Sequence, residues 1–255
     1  MSSIETRYIN FSRHDVKTKI KIPRKLDESL CELVGMYLGD GHISCREGNK
    51  YLFQICGHIV KDKVYYERFV KNTLKSLFNI EKDPKYFQSN TFGYMIHSKG
   101  VVSFISQRFG FKLGKKEASI GIPKELFKNN KFLISCLRGI IDTDFYLCFD
   151  DKFPELGGWF STKNLVKDIE KSLIHLGFNP KTRYDTKYFD KRTGKIYTRH
   201  HIRIRGKENV DKWFSLIKTH HPVLYTKYTY SKKGIYLKDK DIISNSKILE
   251  LAPVV

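Results

Sequence analysis

Asp40 and Asp144 close two short segments of similar pattern, and they are the residues whose type and placement best suit chemistry. The first segment is Leu33-Val34-Gly35-Met36-Tyr37-Leu38-Gly39-Asp40-Gly41; the second is Leu137-Arg138-Gly139-Ile140-Ile141-Asp142-Thr143-Asp144-Phe145. Two carboxylates brought together cannot both stay ionised without a counter-charge, and paired hard oxygen donors suit Mg2+ or Mn2+. Beside a phosphodiester such a cation would serve as Lewis acid and water activator. One Gly-Asp-Gly is equally a helix stop and turn. Two copies at matching places on a basic chain favour the chemical reading.

Positioning the two aspartates requires paired elements, and the sequence supplies them. Each segment follows an Ile-Pro-basic triplet, Ile22-Pro23-Arg24 or Ile122-Pro123-Lys124, with Leu26 or Leu126 three residues beyond the proline. This is the mark of an internal duplication. If the segments are helices, Asp27 caps the first, with Glu28 in its opening turn. Gly35 and Gly39 then share one face, Gly139 and Thr143 hold the corresponding places, and small residues four apart let two helix backbones approach closely. Crossing the helices there would set Asp40 and Asp144 side by side at two helix C-termini. Asp142 faces elsewhere and reads as structural.

Alternation and 3–4 spacing predict the same order in each half: helix, two strands, helix, two strands, helix. The helices after the first are expected near 61–78, 101–109, 165–176 and 208–217. Extended pairs are expected after each aspartate, near 85–99, and as a hairpin over 181–206. The fold class is therefore mixed α/β (α+β), built of two pseudo-symmetric αββαββα repeats, 27–121 and 122–240. A basic extension (1–26) and a tail (241–255) flank them.

The bulk properties agree with a nucleic-acid partner. There are 47 Lys and Arg against 27 Asp and Glu, a formal charge of +20, and such an excess on a folded chain suits a polyanion. A Lys-rich, AT-biased gene is the competing explanation, and only two alanines (Ala118, Ala252) point that way. Clustering favours a binding surface: Lys181 to Lys240 holds 17 Lys and Arg and 5 Asp and Glu. No apolar run reaches the roughly 18 residues of a membrane span, and the N-terminus does not resemble a secretory signal, so an intracellular location is expected. The 5 cysteines are scattered, never C-x-x-C, and read as small, mostly buried thiols rather than a zinc site or disulfide scaffold.

Strand periodicity nominates a binding face. Over 195–205 the odd positions are Lys195, Tyr197, Arg199, His201, Arg203 and Arg205, while Ile196, Ile202 and Ile204 alternate with them and are expected to pack inward. Arginine on such a strand can bond guanine edges in the major groove. The first half repeats the design more weakly: Lys50, Gln54 and His58 alternate with apolar residues, and His42, Ser44 and Arg46 fall on the same side across a turn at 47–49.

The two nonapeptides resemble the paired motifs of single-chain LAGLIDADG homing endonucleases. Gly57-His58-Ile59 with Lys61-Asp62-Lys63 and Tyr66, and Gly114-Lys115-Lys116 ahead of Ile122-Pro123, also look like that family, so the likeness runs from about Ile22 to Lys233. The resemblance implies a saddle-shaped antiparallel sheet in each half, laid into the DNA major groove. It also implies metal-dependent hydrolysis of both strands of a long duplex target, leaving short 3′ overhangs. Metal would be held at Asp40 and Asp144, with Gly39 and Thr143 beside them, and Lys116 and Lys227 would steady charge on the phosphate. Gly57 falls where other members carry a polar pocket residue, leaving His58 or Gln54 to cover that role. Phe145 departs from the usual glycine after the second acid and demands a different helix exit. A monomer is expected, since the two halves already supply the dyad. An RNA-binding intron maturase and a catalytically silent DNA-binding regulator remain open on the same scaffold. Retention of both aspartates argues against the silent forms, and neither G-x-S-x-G, a P-loop nor H-E-x-x-H is present.

Overall fold

The structure, a computed structural model, describes residues 9–116, 119–191, 193–245 and 247–250. The expected extension and tail therefore lie partly outside the described residues. A short helix α1 (Arg13–Lys17) opens behind a Ser12–Asp15 capping box. The Asp27 carboxylate then accepts the Leu30 N–H at 2.8 Å and starts α2 (Glu28–Gly39), with Asp40 as its C-cap. The strands β1 (Gly41–Arg46) and β2 (Lys50–His58) follow, joined by a turn with Gly48 and Asn49 at positive φ. A continuous helical stretch comes next: α3 (Lys63–Tyr65), a π-helical turn (Tyr66–Val70) and α4 (Lys71–Phe78). β3 (Lys85–Phe87), β4 (Thr91–Ile96) and α5 (Lys99–Phe109) complete the first repeat.

The second repeat follows the same path: α6 (Asn130–Asp144), β5 (Phe145–Asp150), β6 (Phe153–Phe160), α7 (Lys163–His175), β7 (Lys181–Asp190), β8 (Lys195–Arg205) and α8 (Lys207–Leu216). Helices α9 (Pro222–Ser231), α10 (Asp239–Ser244) and α11 (Lys247–Glu250) follow. The duplication is explicit in the sheets, ordered β1-β2-β4-β3 and β5-β6-β8-β7, all neighbours antiparallel. One buried core runs through both repeats, from Leu30 and Met36 on α2 to Leu137 and Ile140 on α6.

Backbone contact between α2 and α6 holds the repeats together. A Cβ on Gly35 would overlap the Cys136 carbonyl and lie 2.9 Å from the Ile140 nitrogen. One on Gly139 would overlap the Glu32 carbonyl and lie 2.8 Å from the Met36 nitrogen. One on Gly39 would strike the Thr143 hydroxyl and the Asp144 carboxylate. The small-residue face anticipated from sequence is thus the crossing point itself.

Two expectations need correction. Ile196 is 68% exposed rather than packed inward. Beyond Arg199, toward the turn, β8 has only β7 as a partner, because β6 pairs with His200 to Arg205 alone; the hairpin tip extends past the layer that would cover it. The thiols are not mostly buried either: Cys31 and Cys136 are, whereas Cys45 and Cys148 lie exposed on β1 and β5 and Cys56 is half-buried. Phe145 leaves α6 directly in extended conformation (φ −97°, ψ 152°) and packs on Phe160 and Trp213, which is how the chain exits without a glycine.

Gly139→Ala forces the helices apart at a backbone contact. It is expected to destabilise the protein by about 2–4 kcal/mol, the scale of overpacking at a site unable to give way. Urea unfolding checks this, and a change below about 1 kcal/mol would mean the helices do not touch there.

Candidate active site

Crossing α2 over α6 brings Asp40 and Asp144 together where both helices end. Burial first, and then Asp144 and Asp62, hold the Asp40 carboxyl well above the ordinary carboxylate range; Lys116 and the Tyr66 hydroxyl work the other way. Burial lifts Asp144 to about 6, with Asp62 adding to it and Lys116 opposing it. Two carboxyls poised this way invite a further positive charge. Their hard oxygen donors fit a divalent cation, and such an ion would let both ionise.

Lys116 donates to the Leu38 carbonyl at 2.8 Å and to the Gly39 carbonyl, capping the end of α2. Burial lowers its pKa, and Asp144 and Asp40 restrain that shift. The Tyr66 hydroxyl, set by the π-helical turn, donates to Asp40 Oδ2 at 3.3 Å. The Thr143 hydroxyl bonds back to the Gly139 and Ile140 carbonyls at 3.0 and 2.9 Å. Lys227 is buried, donates to the Leu147 carbonyl at 2.9 Å and pairs with Asp239, which also meets Lys61 at 3.3 Å. The two lysines therefore sit differently: Lys116 on the carbonyls that end α2, close enough to the aspartates to feel their charge, and Lys227 on a carboxylate from α10.

Sequence reasoning gave no site role to Asp62 and His221, which the structure brings to this centre. The Asp62 Oδ1 meets His221 Nε2 at 3.0 Å, and its Oδ2 accepts the His58 N–H at 2.5 Å. Burial alone would raise this carboxyl, but His221, His58 and Lys61 outweigh it and hold it below the usual range. The available signal was Gly57, which leaves room for a neighbour's side chain. Glu32, Asp142 and His220 also cluster, yet their oxygens are engaged. Glu32 binds Arg138 at 2.9 Å and His220 Nδ1 at 2.6 Å; Asp142 accepts from Thr219 and from the His220 N–H. Asp142 is thus structural, as expected.

No family model matches the chain. A replication factor C small subunit from Methanocaldococcus jannaschii is 28% identical over 204 residues, 80% of this chain, and the chain spans only about 10% of that protein's length. Among solved structures, the complex of I-DmoI with DNA and Mn aligns with TM-score 0.52 and 15% identity over 75% of this chain and 96% of that one. A mesophilic variant of the homing endonuclease I-DmoI gives 0.52 and 15% over 76% and 97%. The chain has the LAGLIDADG fold.

The strands nominated from sequence form as β1–β2 in the first repeat and β8 in the second. His42 pairs with Gln54 and Arg46 with Lys50 across β1–β2, so these side chains share a face; Ser44 lies on it as well. His58 departs in part, turning its Nδ1 to the N–H groups of Val60 and Lys61 at 3.1 and 3.3 Å. On β8, Lys195, Tyr197, Arg199, Arg203 and Arg205 share a face with His201, but His201 is only 6% exposed. It stacks on Trp159 and bonds Tyr146 at 2.9 Å, a consequence of its direct pairing opposite Trp159. The arginines are held: Arg199 over Tyr188, Arg203 on Glu155 at 2.6 Å, Arg205 on Asp150 at 2.9 Å. No helix among the described residues is long and apolar enough to cross a membrane.

Raised carboxyl pKa values make ionisation oppose folding. This contribution to stability is complete below about pH 4 and is lost as pH rises through about 6. In chelated buffer, Asp144→Asn is therefore expected to exceed the wild type in stability by about 1–3 kcal/mol above pH 7, the gap closing toward pH 4. Thermal melts across that window check it; a less stable variant at pH 7.5 would contradict the raised pKa.

Proposed function

We propose that this chain is a divalent-metal-dependent endonuclease acting on duplex DNA at a long target site. The observation that carries the reading is the meeting of Asp40 and Asp144 at the ends of two crossed helices, each running directly into a sheet. Strands β1 and β5 leave the aspartates without a linker, so whatever the sheets bind lies beside the carboxylates. The net charge of +20 and the Lys, Arg and Tyr face of β8 suit phosphate and base edges. I-DmoI, crystallised with DNA and Mn, is similar in fold, which supports the same partner here.

A bound Mg2+ or Mn2+ would supply Lewis acidity toward the scissile phosphate and activate water. The chain supplies the rest. Asp40 and Asp144 would hold the cation, one from each repeat. Lys116, desolvated beside them, offsets charge building on the phosphate oxygens as water adds and a P–O bond breaks. Lys61 and Lys227 line the cavity they share with Asp62 and Thr143, where displacement from Asp239 would free them for the backbone. As a two-repeat chain it would work as a monomer.

The test is cleavage of a randomised duplex library with Mg2+, alongside Asp40→Asn and Asp144→Asn. A discrete cut site is expected, with each variant slowed at least about 100-fold while binding is retained. A folded protein that selects DNA without cutting would move the silent regulator to first place; selection of structured RNA would favour the maturase.

A further inference from the structure

The Asp62–His221 pair joins the two repeats beside the aspartates, and the reaction outlined above does not use it. Asp62 belongs to the first repeat, as the residue before α3; His221 comes from the second, as the N-cap of α9. His221 Nδ1 accepts the Val223 N–H at 3.2 Å, which places its proton on Nε2, aimed at Asp62 Oδ1. The carboxylate is thus fixed from both sides, by His221 and by the His58 N–H.

Its location is unusual for a helix-start residue. A Cβ on Gly57 would overlap the Asp62 carboxylate and lie 3.0 Å from the Tyr66 ring, and the Tyr66 hydroxyl is bonded to Asp40. The missing side chain at Gly57 is therefore what admits Asp62 to this place. An ionised carboxylate has about four acceptor positions, and the two bonds above leave others open. Asp62 lines a cavity of about 110 Å3 together with Thr143, His221, Lys61 and Lys227, room for several waters.

The corresponding helix start in the second repeat carries no acid. The residue before α7, the N-cap place that Asp62 holds before α3, is Thr162. Resting on the nuclease reading, we propose that Asp62, held by His221, is a positioning residue that orders water on one side only of the Asp40–Asp144 pair. The two strands of a duplex would then be cut at rates set by different surroundings.

The experiment measures single-turnover cleavage of each strand of a cognate duplex by wild type, Asp62→Asn and Gly57→Ala, with Mn2+ binding by calorimetry and duplex affinity in parallel. Asp62→Asn is expected to slow one strand about 100-fold more than the other, leaving Mn2+ stoichiometry and DNA affinity intact. Gly57→Ala, which displaces the carboxylate without removing it, is expected to show the same strand preference and keeps the test valid should Asp62→Asn fail to fold. Equal slowing of both strands, or loss of Mn2+ binding, would overturn the positioning role while leaving the nuclease reading in place. A wild type that cuts neither strand would overturn both.

Discussion

The contact of α2 with α6, backbone against backbone, is the constraint on which the rest of the molecule depends. Glycine at 35 and 139 is required because a carbonyl occupies the space a Cβ would take. That closeness fixes where both helices end, and so where Asp40 and Asp144 stand. A buried network secures the same crossing laterally: Glu32 of α2 meets Arg138 of α6 and His220 from the loop after α8. Loss of any one partner would strand a desolvated charge, so the network penalises slippage between repeats.

From that crossing the two halves diverge. Gly41 starts β1 close against Tyr37, where no side chain would fit, while Phe145 starts β5 by packing outward on an aromatic shell. Lys116 lies on the end of α2 beside the acids, whereas Lys227 is paired with Asp239. Asp62 has no acidic counterpart at Thr162. A duplicated frame therefore carries unequal side chains on its two sides, which a single chain can evolve and a homodimer cannot.

Much of this was legible in the sequence, for identifiable reasons. The repeated Ile-Pro-basic triplets and small-residue spacing are local patterns, and they yielded the repeats, the helix pair and the acidic dyad. Period-two alternation gave the shared face of β1–β2 and most of β8. What escaped depends on contacts distant in the chain. The burial of His201 follows from its register opposite Trp159, and the exposure of Ile196 from where β6 stops pairing. His221 reaches Asp62 across 159 positions, which no local spacing encodes. Gly57 carried a hint, but a glycine announces space without saying what fills it.

The most direct test of the central claim is calorimetric titration of Mn2+ into wild type, Asp40→Asn and Asp144→Asn at neutral pH. One centre built from both helices predicts that wild type binds the ion and that each single substitution, though folded, abolishes or sharply weakens that binding. Undiminished binding in both variants would contradict the account and place the metal elsewhere.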